Sequence, residues 1–147
     1  MGKNIAENFF TKEQEQLIVN AIKSAELNCS GEIRVHLEGK ANEDNLKRAK
    51  EVFDELGMSK TEARNGVLFY LAIEDKKFSI LGDKGIDEKC PSGFWDDIKN
   101  KVQNQFRKGA FVEGLVEGIH EAGEALKKHF PYHKDDENEL SDQISKS

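Results

Sequence analysis

The chain has 147 residues, 37% of them apolar, which is enough for one core and too few for two domains. Its formal net charge of -6, with basic residues scattered along the chain, excludes a nucleic-acid or anionic-membrane surface, since both need a basic footprint. No run approaches the roughly 18 apolar residues of a membrane span. The opening MGKNIAENFF lacks the apolar core of a secretory leader. The only two cysteines, Cys29 and Cys90, cannot build a disulfide framework or a four-ligand zinc site, so a cytoplasmic protein with free thiols is expected.

In chain order, Thr11 and Gln14 form a capping box, and Leu17, Ile18, Ala21, Ile22 and Ala25 recur at helical spacing to about Asn28. Ser30-Gly31 turns the chain into Glu32 to Glu38, where strict alternation predicts a strand with one apolar face (Ile33, Val35, Leu37) and one charged face (Glu32, Arg34, His36, Glu38). Such a strand lies off-centre in a sheet. His36 and Arg34 on that face suit either a phosphate or acid–base site or simple ion pairing with the two glutamates on an exposed, solvated strand face. After a polar connection to Asp44, Leu46, Ala49, Val52, Phe53 and Leu56 predict a second helix stopped by Gly57, and 58–65 reads as a polar loop.

Val67 to Ile73 is an unbroken apolar run of strand length, so helices should cover it on both faces as the central strand of an α/β layered sheet. Strand, helix, strand with this crossover is a βαβ unit, which predicts parallel pairing, and Phe78 to Leu81 returns as an antiparallel hairpin partner. Residues 82–89 read as a polar loop, and Pro91-Ser92 opens a helix capped by Ser92 that buries Phe94, Trp95, Ile98, Val102 and Phe106. A last helix runs from Ala110 to about Phe130, stopped by Pro131. Its small residues Ala110, Gly114, Gly118 and Ala122 predict a smooth packing seam. Residues 1–131 thus form one domain, and 132–147 is expected to be a disordered polar tail.

In this topology the loops before the two parallel strands and after the third strand meet at one end of the sheet. That end gathers Glu32, Glu62, Arg64, Asn65, Asp83, Asp87, Glu88 and both cysteines. Hard oxygen donors at this density suit calcium or magnesium, although the spacing is not that of an EF-hand. Asp83, Asp87 and Glu88 repel one another unless a cation intervenes, with Lys84, Lys89 and Arg64 as the internal compensators. No GxSxG elbow, P-loop or GxGxxG follows a strand.

The blocks SGEI (30–33), NGVLFYLAIEDKKFSILGDKG (65–85) and FRKGAFVEGLVEGI (106–119), in this order and spacing, resemble the TPM domain family over about residues 10–130. The resemblance implies an α/β/α sandwich around a small mixed sheet, an acidic cleft that holds a divalent cation such as calcium and, for some members, phosphatase activity. Where many members have Asp before the Asn-Gly of the central strand, this chain has Arg64, and the leader and membrane helix of many members are not expected here. The expected function is a monomeric, non-catalytic calcium-binding module for an unidentified protein partner, with metal ligands Asp83, Asp87, Glu88, Asn65 and Glu32 and with Arg64 as a phosphate or partner contact. The alternative is a metal-assisted phosphomonoester phosphatase, in which the cation polarises the phosphoryl oxygens.

Overall fold

Thr11 caps the helix that starts the sandwich: its hydroxyl accepts from Gln14 N, and the Gln14 side chain answers the Thr11 N–H at 2.9 Å. A computed structural model describes residues 2–41, 43–61, 63–131 and 140–147. Along it run α1 (Gly2–Asn8), α2 (Lys12–Asn28), β1 (Glu32–Glu38), α3 (Asn45–Glu55), β2 (Gly66–Ala72), β3 (Lys77–Gly82), α4 (Lys84–Lys89), α5 (Asp96–Arg107), α6 (Phe111–Lys127) and β4 (Ser145–Lys146). Gly57, at φ 67°, ends the α3 region in the left-handed conformation that a Cβ disfavours.

The sheet order is β3-β2-β1-β4. β1 and β2 are parallel in the register Glu32↔Gly66 to Glu38↔Ala72, and β3 lies antiparallel on the far side of β2. The apolar run is therefore an inner strand, every residue of it buried, as its composition demands. Ile33, Val35, Leu37, Val67, Phe69 and Leu71 face α2, α5 and α6 in the larger core. Leu68, Tyr70 and Ala72 face Ala49, Val52, Phe53 and Met58 in a smaller core under α3. Helices on both faces of a mixed sheet make the three-layer α/β sandwich.

Four expectations are corrected. The polar loop after β3 is partly the short helix α4, because Asp83 caps it by accepting from Lys84 N. The helix after Pro91 begins at Asp96 behind turns at 92–95, with Trp95 and not Ser92 at the cap position and no side-chain cap bond. The charged face of β1 is not solvated: Glu32, His36 and Glu38 are all buried. The reason is the fourth correction, since residues 140–147 are not a disordered tail but return to the sheet, where Ser145–Lys146 pairs parallel to β1. Residues 132–139 of the expected tail lie outside the described residues.

The seam on α6 holds. A Cβ built on Gly118 would stand 2.5 Å from Val102 Cγ2 and 3.3 Å from Phe69 Cε2, and one on Gly114 would stand 3.1 Å from Phe106 Cε1. These glycines let α6 lie against α5 and the sheet, where Phe69, Phe78 and Phe106 interlock edge to face. Gly118→Ala gains about 1 kcal/mol of helix propensity, but the neighbouring Val102 is fully buried and cannot yield cheaply. Overpacking should dominate, with a net loss of about 1–3 kcal/mol in chemical denaturation; a stabilised variant would show the seam to be slack.

Candidate functional site

The end of the sheet where β1 and β2 begin and β3 finishes is built by backbone bonds between its three loops. Glu32 N donates to Asn65 O at 3.2 Å, Asp83 N to Gly66 O at 2.9 Å, and Gly85 N to Arg64 O at 2.9 Å. Gly85 is obligatory there: a Cβ would stand 2.6 Å from Arg64 O and closer still to Ala63 O. Arg64 itself has φ 51°, a conformation that non-glycine residues adopt sparingly and that accumulates at functional sites.

Of the sequence-predicted residues, the structure joins Arg64 to Asp83. Arg64 Nε meets Asp83 Oδ2 at 2.8 Å and its Nη2 meets Oδ1 at 3.0 Å, a bidentate fork on a carboxylate that is itself almost fully buried. Oδ1 also accepts from Lys84 N at 2.7 Å. The bond to Asp83, and after it the charge of Glu88, holds the Arg64 guanidinium more firmly protonated than usual, although Asp87 and Glu88 are solvent-exposed on α4. Glu32 and Asn65 are engaged on the β1 side of this end: Glu32 Oε1 accepts from Leu140 N at 2.7 Å, and Asn65 Nδ2 donates to Ser30 O at 2.6 Å. Asn65 Oδ1 is buried without a hydrogen-bond partner among the described residues. Glu62 lies outside the described residues.

Among the described residues no group of three or more His, Cys, Asp or Glu side chains is arranged to hold a metal ion. Asp83, Asp87 and Glu88 carry oxygens of the kind a hard cation takes, but Arg64 already occupies those of Asp83. Cys90, half-buried at the end of α4, has its thiol pushed above the ordinary range by burial and then by Asp87, which disfavours the thiolate.

At the opposite end of β1, where the alternation left His36 open either to an acid–base site or to ion pairing, the structure builds a second polar cluster. Glu38 accepts from Arg48 Nε and Nη2 at 2.9 and 2.7 Å and from the Tyr70 hydroxyl. Burial pushes Glu38 up, but these hydrogen bonds outweigh it and hold the carboxyl below its ordinary range. His36 stacks on Tyr70 with ring centroids 5.9 Å apart. The signal available in sequence was the pair of titratable residues two apart on one strand face, which reads equally well as a solvated surface until something covers it.

A sequence model described as the TPM domain matches residues 4–125. The solution structure of the BA42 protein from the psychrophilic bacterium Bizionia argentinensis is 52% identical, with a TM-score of 0.90 over 96% of this chain and 97% of that one. The N-terminal domain of a protein from P. gingivalis, 18% identical, gives a TM-score of 0.70 over 86% and 83% of the two chains. The N-terminal domain of the cg2496 protein from Corynebacterium glutamicum, 12% identical, gives 0.64 over 94% and 80%. The last two show a shared fold alone. No curated protein sequence matches the chain.

One buried group and one half-buried group make stability depend on pH with opposite signs. His36 is pushed down to about 4, by burial first, with Glu38 pulling the other way. An unfolded histidine titrates near 6.5, so the unfolded chain binds this proton more tightly, and the stability associated with neutral His36 is lost as pH falls from about 6.5 toward 4. His36→Gln should flatten that decline, worth on the order of 3 kcal/mol at most, in thermal midpoints taken from pH 7 to 4.5. Glu26 is pushed up to about 9, by burial first and then by its hydrogen bond with Asp142. Its contribution is full below about 4.5 and is lost as pH rises toward 9. Glu26→Gln should therefore raise the midpoint at pH 8 and leave it nearly unchanged at pH 4.5; equal shifts at both would contradict a protonated Glu26.

Proposed function

The chain belongs to the TPM domain family, and from that membership we propose that it is a non-catalytic module that binds a divalent cation and a protein partner. The observation that supports this reading is the Arg64–Asp83 pair. A carboxylate held almost fully buried requires a cation, and the chain supplies one from a side chain that is 45% exposed and therefore able to leave. Calcium, or the smaller magnesium, competes with Arg64 for Asp83, with Asp87 and Glu88 beside it. Asn65 and Glu32 hold the neighbouring loops in register through their own bonds and stand at the edge of this donor set. Binding an oxygen-seeking ion here tightens the junction of β1, β2 and α4 and presents α4 to a partner. No helix among the described residues is long and apolar enough to cross a membrane, and the proposal places the domain in the cytoplasm as a monomer.

Hydrolysis of a phosphomonoester is the reading this arrangement favours less. A phosphate clamp needs a free guanidinium fork, and that of Arg64 is spent on Asp83. A cysteine nucleophile needs a lowered thiol pKa, and that of Cys90 is raised.

The competition is tested by calcium titration followed by NMR and thermal unfolding. Selective binding to the folded state at a hundredfold excess over Kd stabilises by about 2.7 kcal/mol. Arg64→Asn removes the competing cation, adds an oxygen donor and keeps a residue type that tolerates φ 51°. Calcium should bind it at least tenfold more tightly than wild type, with shifts confined to residues 64–66 and 82–90. Asp83→Asn should abolish the response in both backgrounds. Equal affinity in wild type and Arg64→Asn would sink the proposal, as would calcium-dependent shifts located elsewhere.

A further inference from the structure

The outer edge of β1 is closed by a strand of only two residues. His36 pairs with Ser145 and Leu37 with Lys146, and Ser147 N then donates to Leu37 O at 2.9 Å. A strand edge this size is a weak seal, and an unpaired edge is a template for any extended chain. What holds the seal in register is a set of side-chain contacts on alternating faces. Ser145 Oγ pairs with His36 Nδ1 at 2.9 Å. Ser147 Oγ pairs with His36 Nε2 at 2.5 Å and donates to Glu38 Oε1 at 3.1 Å. On the other face Lys146 Nζ meets Glu15 Oε2 of α2 at 2.6 Å, and Ile144 packs against the larger core.

This is a recognition pattern. Three successive side chains are each met by a complementary group, and the period of two along a strand sends the hydroxyls to His36 and the ammonium to Glu15. The groups that read them belong to the body of the domain and are fixed independently of the segment: Glu38 by Arg48 and Tyr70, and His36 by its stack on Tyr70. Arg34 Nε, on the same face of β1, is buried with no acceptor among the described residues, so the resident segment leaves donor capacity unused. The segment is polar and every residue from Ile144 to Ser147 is only half-buried, so little apolar burial holds it on the sheet.

We propose that the edge of β1 is a peptide-binding site that accepts an extended segment of a partner protein as an added parallel strand. It reads an apolar residue followed by hydroxyl, basic and hydroxyl side chains, and residues 144–147 occupy it as a built-in placeholder. The site lies at the opposite end of β1 from Asp83 and does not rest on the cation reading. Strand addition supplies affinity through main-chain bonds and specificity through alternate side-chain contacts, which is the division of labour seen here. Leaving the edge empty would open His36 to water and leave the backbone edge of β1 unpaired, so the placeholder protects the site when no partner is present. Because it is tethered, its effective concentration is in the millimolar range, and a partner must outcompete it or find it weakened.

The test uses the full chain in chelator, which removes any contribution from divalent ions. A fluorescently labelled peptide of residues 141–147, Ser-Asp-Gln-Ile-Ser-Lys-Ser, is titrated by anisotropy into wild type and into a variant with a weakened placeholder, Ser145→Gly with Lys146→Glu. The peptide should bind the variant at least tenfold more tightly than wild type, with NMR shifts at Arg34 to Glu38, and adding His36→Ala should remove that gain. Equal affinity for both proteins, or shifts away from β1, would overturn the proposal. Should the variant fail to fold, the same displacement is read on wild type with the peptide in millimolar excess. Movement of the Ser145 to Ser147 amides to random-coil positions supports the site, and unchanged positions overturn it.

Discussion

The parallel pairing of β1 with β2, seven residues in register and buried along its length, is the constraint on which the molecule depends. Parallel strands start at the same end, so the loops before them must meet, and the antiparallel β3 brings Asp83 to the same place. The crossover helix α3 lies over β2 and β3 in the smaller core. The even-numbered face of β1, which carries Glu32, Arg34, His36 and Glu38, is thereby met by α3 at Glu38, through Arg48, and not along its length. Those side chains need another cover, and residues 140–147 provide it. Both polar centres follow from this one pairing.

The two arginine–carboxylate pairs resemble one another chemically and differ in what surrounds them. Arg48 and Glu38 are 18% and 12% exposed at their side chains, and Tyr70 and Ser147 complete the coordination of Glu38. Removing one partner of such a pair costs about 3–5 kcal/mol because a buried charge is left behind, so this pair acts as a structural pin. Arg64 is 45% exposed over an Asp83 that is 5% exposed. Its guanidinium is solvated when it leaves, while the carboxylate still needs a cation, and that asymmetry makes the pair exchangeable. Glu26 shows a third solution: with Asp142 as its neighbour it holds its proton and avoids the charge altogether.

The 52% identical BA42 protein shares this architecture along nearly its whole length, and domains under 20% identical keep the fold. What they share is the layered packing. Function is carried by sites, so the reading of this chain rests on Arg64, Asp83 and the edge of β1, not on the sandwich.

Local pattern was sufficient for most of the fold. The unbroken run at 67–73 marked an inner strand because only a doubly covered strand tolerates it, the Thr11–Gln14 box and Gly57 marked helix ends, and the glycines of α6 marked a close seam. The family resemblance and the convergence of the loop residues at one end of the sheet were also legible in the chain. Three things were decided only in three dimensions. Asp83 became a helix cap and the partner of Arg64 because the β3–α4 turn and the left-handed Arg64 happen to aim at each other, nineteen positions apart in sequence. Ser92 failed as a cap because the chain turns again before α5 begins. The charged face of β1 became a buried network because a polar segment more than a hundred residues downstream folds over it. Alternation in sequence says which side chains share a face of a strand; whether that face meets water or protein is set by long-range packing, to which local periodicity is blind.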